Sequence, residues 1–256
     1  IYVDARISNR SGVGMSAYND KNGNTIQKGA KFSFAHHIVL HYYSKQFLSF
    51  GLSYNINSFR IDINNFQPTI EMPIVDPGVT DDRAITNHNF DLGFLYRYKD
   101  FYFSFNANNI LPKDIDNFNG IEPNILSNYQ VYTGLVMRSV YNKNIEYEPS
   151  VFFQLLGSDG RSATDVNFKY RKYTRGNDYY WIGGSYRFLN DQFLKPLNIG
   201  PMAGIMKSNI YFAYSYQITT NDLIGFNSGT HMITIGLDFL QGISDCPCTK
   251  SKINKF

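Results

Sequence analysis

Large apolar side chains alternate with small or polar ones through most of this chain, and no other feature constrains its fold as tightly. Leu48, Phe50, Leu52, Tyr54 and Ile56 alternate with Ser49, Gly51, Ser53, Asn55 and Asn57. Phe101, Phe103, Phe105 and Ala107 alternate with Tyr102, Ser104, Asn106 and Asn108. The pattern recurs in Val166, Phe168 and Tyr170 against Asp165, Asn167, Lys169 and Arg171, and again in Ile233, Ile235, Leu237 and Phe239. Successive side chains of a strand point to opposite faces, so each run has one apolar face and one polar face. Helical spacing fits none of them. No stretch approaches the ~18 consecutive apolar residues of a spanning helix, which excludes helical membrane insertion. Aromatic residues make up 16% of the chain and the formal net charge is only +3, which excludes disorder. Lys and Arg number 24 against 21 Asp and Glu, a balance that gives no footprint for nucleic acid. An all-β chain remains, and a membrane barrel must be separated from a soluble sandwich.

Thirteen runs are expected near 1–8, 12–19, 25–41, 47–60, 87–98, 101–109, 127–140, 146–156, 163–174, 179–188, 198–206, 209–218 and 230–240. Most approach the ~9–11 residues of a tilted membrane strand. Ile1 lies inside strand-like sequence with no apolar leader, so at least one strand is expected to precede it, and fourteen is the natural even number. The connections alternate short and long. Ser8–Ser11, Tyr42–Gln46, Lys99–Asp100, Tyr141–Ile145, Arg175–Asp178 and Lys207–Ser208 are tight. Ile61–Thr86, Ile110–Leu126, Leu189–Leu197 and Thr219–Gly229 are longer. Outer-membrane barrels have short periplasmic turns and long outer loops, whereas a sandwich has no reason to keep such a rhythm. Tyr42, Tyr43, Tyr96, Tyr98, Tyr141, Tyr147, Tyr179, Tyr180 and Tyr216 gather toward strand ends, where amphipathic rings settle at a membrane interface. The expected fold is a transmembrane antiparallel up-and-down β-barrel of about fourteen strands over 1–240. A periplasmic tail over 241–256 would carry Cys246-Pro247-Cys248.

Ten blocks, in order, resemble the PorP/SprF family of the type IX secretion and gliding-motility apparatus. They are Tyr2-Val3-Asp4-Ala5-Arg6, Gly12-Val13-Gly14 with Asn19-Asp20-Lys21-Asn22-Gly23, Leu48–Leu52, Phe103–Leu111, Tyr147-Glu148-Pro149-Ser150, Asp165–Tyr170, Trp181–Arg187, Tyr214–Asn221 and Gly229–Ile233. The likeness reaches to about Gly242, while the family's Asn-Pro-rich opening is absent. It implies a non-enzymatic, multi-pass protein of the cell outer membrane. Its implied partners are a secreted surface adhesin, through that protein's C-terminal domain, and periplasmic components of the machine. Those components are a lipoprotein ring and an OmpA-like peptidoglycan-binding protein. Membrane lipid would surround it. A passive solute porin is the alternative.

The polar face carries Asp4, Arg6, Lys31, Arg97, Arg138, Glu146, Glu148, Asp165, Lys169, Arg171, Arg187 and Asp238. Both signs are interleaved, which favours a hydrogen-bonded lumen wall over the single-sign ring of a selective pore. Arg97, Arg138, Glu148, Asp165, Lys169, Arg171 and Arg187 are the lumen-facing candidates. Pro149 cannot donate to a ladder, and Glu148-Pro149 is expected to mark a bulge or an edge. His36 and His37 fall on opposite faces and do not easily share a metal ion. Ser33 and His37 share a face but stand four residues apart, too far for a direct bond. No cofactor, metal or catalytic set is expected. Gly12-Val13-Gly14 has no following helix to cradle phosphate, and Gly183-Gly184 reads as a bend or close approach within a strand. Cys246 and Cys248 leave a bond to a partner, a strained internal bridge and free thiols all open. The long connections are the candidate partner-binding segments. Ile61–Thr86 interleaves Pro68, Pro73 and Pro77 with Ile70, Met72, Ile74 and Val75, and Ile110–Leu126 carries Phe118 and Ile121.

Overall fold

The computed structural model describes residues 1–22, 25–61, 83–111, 127–157, 160–174, 178–192, 195–220, 222–225 and 229–239. Their strands are β1 (Tyr2–Arg6), β2 (Ser11–Asn22), β3 (Thr25–His41), β4 (Gln46–Ile61), β5 (Arg83–Tyr98), β6 (Phe101–Asn108) and β7 (Asn128–Leu135). After them come β8 (Met137–Arg138), β9 (Ile145–Leu156), β10 (Ser162–Tyr173), β11 (Tyr179–Leu189), β12 (Pro196–Lys207), β13 (Ile210–Thr219) and β14 (Thr230–Leu237). They form one 14-stranded antiparallel sheet in which each strand pairs with its neighbours in sequence, β8 alone standing off the path beside β9. This is the up-and-down order that the alternating runs predict, and each expected run coincides with a strand. The run expected over 127–140 is the one that divides, into β7 and β8.

That division has a local cause. Met137 pairs with Tyr147 in the same register in which Gly134 pairs with Ser150, so no residue is inserted. Pro149 lies opposite the gap and has no N–H to offer. The Val136 N–H points to the other neighbouring strand and donates to the Asp100 carbonyl at 2.9 Å. Pro149 is therefore neither bulged nor at an edge, as the sequence had suggested. It pairs in register with Phe168, and the interruption falls on the facing strand. The register does shift between Arg187 and Phe188, where β11 meets the Pro196 end of β12.

Two compact units can be distinguished: unit 1 is Ile1–His36, Phe50–Leu92 and Asn108–Ile125, and unit 2 is His37–Ser49, Gly93–Ala107 and Leu126–Phe256. In unit 1, Val13 faces Phe34 and Met15 faces Phe32 across the β2–β3 ladder, and all four side chains are exposed. Asn55, Asn87, Asn89 and Asp91 are buried instead. Unit 2 has the same inversion. Val166, Phe168, Ile182, Ile205 and Phe212 are exposed, while Glu146, Glu148, Ser150 and Arg171 are buried. A soluble sheet hides its apolar face and wets its polar one. Here contiguous apolar faces lie open and charges are covered, the distribution of a sheet whose apolar side meets lipid. No helix among the described residues is long and apolar enough to cross a membrane, which says nothing of crossing by strands.

The tight turns follow from their residues. Ser208 and Asn209 both have positive φ, 48° and 72°, the backbone of a two-residue hairpin whose twist matches its strands. Lys45 and Lys99 take the same region at 51° and 54°, and the Lys99 N–H donates to the Lys45 carbonyl at 3.2 Å, which ties two neighbouring turns together.

Candidate functional site

The most highly connected polar cluster lies on the buried face of unit 2. In the β9–β10 ladder Glu146 stands directly opposite Arg171, and Glu148 opposite Lys169. Directly opposed side chains in an antiparallel pair share a face at close range, so register alone brings these charges together. Arg171 forks: Nη1 donates to Glu146 Oε2 at 3.2 Å and Nη2 to Glu148 Oε2 at 3.1 Å. Glu146 also accepts from Tyr173 Oη at 3.0 Å and from Arg138 Nε at 3.3 Å. Glu148 accepts from Tyr102 Oη at 3.0 Å, with Lys169 Nζ 3.8 Å away. Glu146 is only 1% exposed and Arg171 6%, a burial that two carboxylates tolerate only with this many donors. Lys169 lies over the Trp181 ring at 5.0 Å and Arg171 over the Tyr179 ring at 5.3 Å, so aromatic faces cover the remaining flanks of the cations.

Glycines make the longer reaches possible. Tyr102 on β6 contacts Glu148 on β9 by lying across β7, and a Cβ on Gly134 of β7 would stand 2.3 Å from the Tyr102 hydroxyl. The same device recurs twice in unit 2. Gln217 of β13 lies over Gly200 of β12 to exchange hydrogen bonds with Ser185 of β11, and Trp181 lies over Gly204. In unit 1 Tyr18 lies over Gly29 and donates to Asn57 Oδ1 at 2.9 Å. Long polar side chains thus lie flat along the wall and tie strands that are not neighbours.

A second cluster, in unit 1, holds the root of a long connection. Asp91 accepts from Asn55 Nδ2 at 2.8 Å and pairs with Lys31 Nζ at 2.6 Å. The same carboxylate accepts the Asn109 N–H at 2.8 Å. Asn89, fully buried, accepts the Leu111 N–H at 2.9 Å and donates to the Leu111 carbonyl at 3.1 Å. The chain leaving β6 is therefore fixed to β5 up to Leu111, with Asn109 in the left-handed region at φ 55°.

Among the charged residues singled out in the sequence, Arg138, Glu148, Lys169 and Arg171 belong to the unit 2 cluster, with Glu146. Asp165 and Arg187 form a separate pair at 2.6 Å, directly opposed across β10–β11. Arg97 is buried at 6% exposure. Alternation alone had not marked Tyr102, Tyr173, Asn89 or Asp91 for these roles. Asn87, Asn89 and Asp91 do share one parity of β5, a signal that was available in the sequence. His36 meets Ser11, His37 meets Ser49 and Ser33 meets Ser53, each a separate cross-strand pair. Gly183 shows the expected close approach, since a Cβ there would stand 2.6 Å from the Phe168 carbonyl oxygen. No group of three or more His, Cys, Asp or Glu suited to a metal ion occurs among the described residues. Ile70, Met72, Ile74, Val75, Phe118, Ile121, Cys246 and Cys248 lie outside the described residues.

Compared with known protein families, residues 1–237 match the family described as type IX secretion system membrane protein PorP/SprF. No curated protein matches the chain.

Proposed function

The chain belongs to the PorP/SprF family of type IX secretion system membrane proteins, and from that membership we propose that it is an outer-membrane barrel that holds, or helps export, a secreted adhesin. The adhesin would be engaged through its C-terminal domain, with the long connections and the polar wall as the contact surfaces. The candidate contacts are Ile70, Met72, Ile74 and Val75 in the first long connection and Phe118 and Ile121 in the second. The opposite end, with its short turns, would face the periplasmic components of the machine, a lipoprotein ring and an OmpA-like peptidoglycan-binding protein. Arg97, Arg138, Glu148, Asp165, Lys169, Arg171 and Arg187 would line the lumen as structural groups.

One observation carries the preference for a holding role over solute conduction. In unit 2 the two buried carboxylates are both held by cations: Arg171 reaches Glu146 and Glu148, and the half-exposed Arg138 reaches Glu146, while Arg187 and Asp165 pair at a partly buried position. A selective pore keeps a ring of one sign available to the permeating ion. A wall whose buried carboxylates are each held by a cation suits a stiff frame for a protein partner better. The test is purification from native membranes in mild detergent, followed by mass spectrometry of everything that accompanies the protein. Recovery of a large secreted protein cross-linked through its C-terminal domain to positions 61–86 is the expected result. A barrel that arrives alone and conducts ions steadily in a planar bilayer would replace this reading with the porin.

A further inference from the structure

We propose that the short-turn end of unit 2 is a rim that binds the phosphate headgroups of anionic phospholipids. The inference rests on the membrane reading above and adds a ligand class to it. Because the sheet is an antiparallel meander, the turns after β3, β5, β8 and β12 all fall at the same end of the strands. A lysine stands in or at the edge of each of these turns: Lys45, Lys99, Lys143 and Lys207 are all exposed, and none makes an ion pair among the described residues. Outside the Arg171 cluster the acidic residues at this end are Asp100, Asp178 and Asp238; Asp178 accepts the Ser208 N–H at 3.0 Å, and the Asp238 N–H donates to the Asn209 carbonyl at 2.8 Å.

Turn length sets the depth of these lysines. Lys99 lies two residues from Phe101, and Lys207 three residues from Ile210, and both apolar side chains are exposed on the lipid-facing side. At a strand rise of about 3.4 Å per residue, those ammonium groups sit within roughly 10 Å of the apolar band, at headgroup depth. Turns this short hold them at that depth, beside lipid, rather than out at the face that would meet the periplasmic components. The flanking rings agree. Tyr43 and Tyr141 are 90% and 100% exposed at the tips of their turns, and Lys99 Nζ stands over the Tyr98 ring at 5.3 Å. A ring that prefers the interface beside a cation that pairs with phosphate is the combination an anionic leaflet recognises.

The experiment uses the full chain folded in detergent micelles, titrated with phosphatidylglycerol or with phosphatidylcholine, and retained lipids are counted by native mass spectrometry. Each lysine near an anionic surface contributes roughly a five-fold preference, so the wild type is expected to retain phosphatidylglycerol at least ten-fold more strongly. That preference should fall as salt rises. K45Q/K99Q/K143Q/K207Q is expected to lose the preference while keeping its heat-modifiable migration on gels, and K99Q/K207Q to lose part of it. Equal retention of the two lipids by folded wild type, or an unchanged preference in a folded quadruple variant, overturns the proposal. If the quadruple variant does not fold, the double variant and the salt dependence of the wild type decide. A wild type that enters no micelle in folded form would sink the membrane reading itself, a separate outcome from absent lipid selectivity.

Discussion

Replacing Arg171 by Met keeps most of the side chain's length and removes the charge that both Glu146 and Glu148 use. The carboxylates, with side chains 1% and 5% exposed, cannot recover water without opening the wall. Glu146 would keep Tyr173 and Arg138, and Glu148 would keep Tyr102 and the more distant Lys169. Breaking a buried pair by deleting one partner costs about 3–5 kcal/mol, because the other charge is left uncompensated. With donors remaining on each carboxylate, R171M belongs near the lower end, about 3 kcal/mol. R187M gives the internal scale. Its pair with Asp165 has side chains 34% and 19% exposed, and its loss should cost about 1 kcal/mol. The assay is reversible urea unfolding in lipid vesicles followed by the fluorescence of Trp181, the one tryptophan of the chain, which sits beside Lys169 in the same cluster. The triple variant E146Q/E148Q/R171M should recover most of the loss, since neither carboxylate is then charged. If R171M costs no more than R187M, or the triple variant is worse than R171M alone, the network is not the buried, mutually compensating set described above.

Further outcomes are expected for five single variants. Gly134→Ala would place a methyl 2.3 Å from the Tyr102 hydroxyl and displace its bond to Glu148, for a loss of about 1–3 kcal/mol. Gly184→Ala, whose nearest neighbour would be 3.9 Å away, should be near neutral in the same unfolding assay. Phe168→Arg, on the exposed apolar face of β10, should destabilise by about 2–4 kcal/mol in vesicles if that position lies near the bilayer midplane, with a much smaller effect in a loosely packed micelle. Asn89→Ala should speed hydrogen exchange at the Leu111 amide, and Asp91→Ala at the Asn109 amide, by removing their acceptors. Unchanged exchange at both would show that the loop root is held by something else.

The strand content was legible because the side-chain period of a β-strand is two and the polar and apolar sets are strongly contrasted here. Leu48–Asn57 states its own two faces residue by residue. Strand ends at turns were legible too, since Lys99-Asp100 and Lys207-Ser208 interrupt alternation, the second within one residue of the Ser208-Asn209 turn. The Arg171 cluster was only half visible. Parity places Glu146, Glu148, Lys169 and Arg171 on polar faces, but which charge meets which depends on the register between β9 and β10. One residue of slip would have exchanged every pair. The reach of Tyr102 across Gly134 was beyond the sequence for the same reason, because it depends on three strands at once. Pro149 was misjudged because its missing N–H was charged to its own strand, whereas the gap opened on β7–β8, where the partner bond would have been. Partner identity was not legible in the strands at all, since they record lipid exposure and register.

The most direct test of the account is accessibility measured residue by residue along β10 in lipid bilayers. Single cysteines at positions 165 to 169, in a background with Cys246 and Cys248 replaced by Ser, would carry spin labels, and collisions with dissolved oxygen and with a water-soluble nickel chelate would be compared. The account predicts a period of two, with labels at Val166 and Phe168 exposed to lipid-dissolved oxygen and those at Asp165, Asn167 and Lys169 shielded from it. Uniform accessibility along the strand, or oxygen exposure on the Asp165–Lys169 side, would contradict a sheet that turns its apolar face to the membrane.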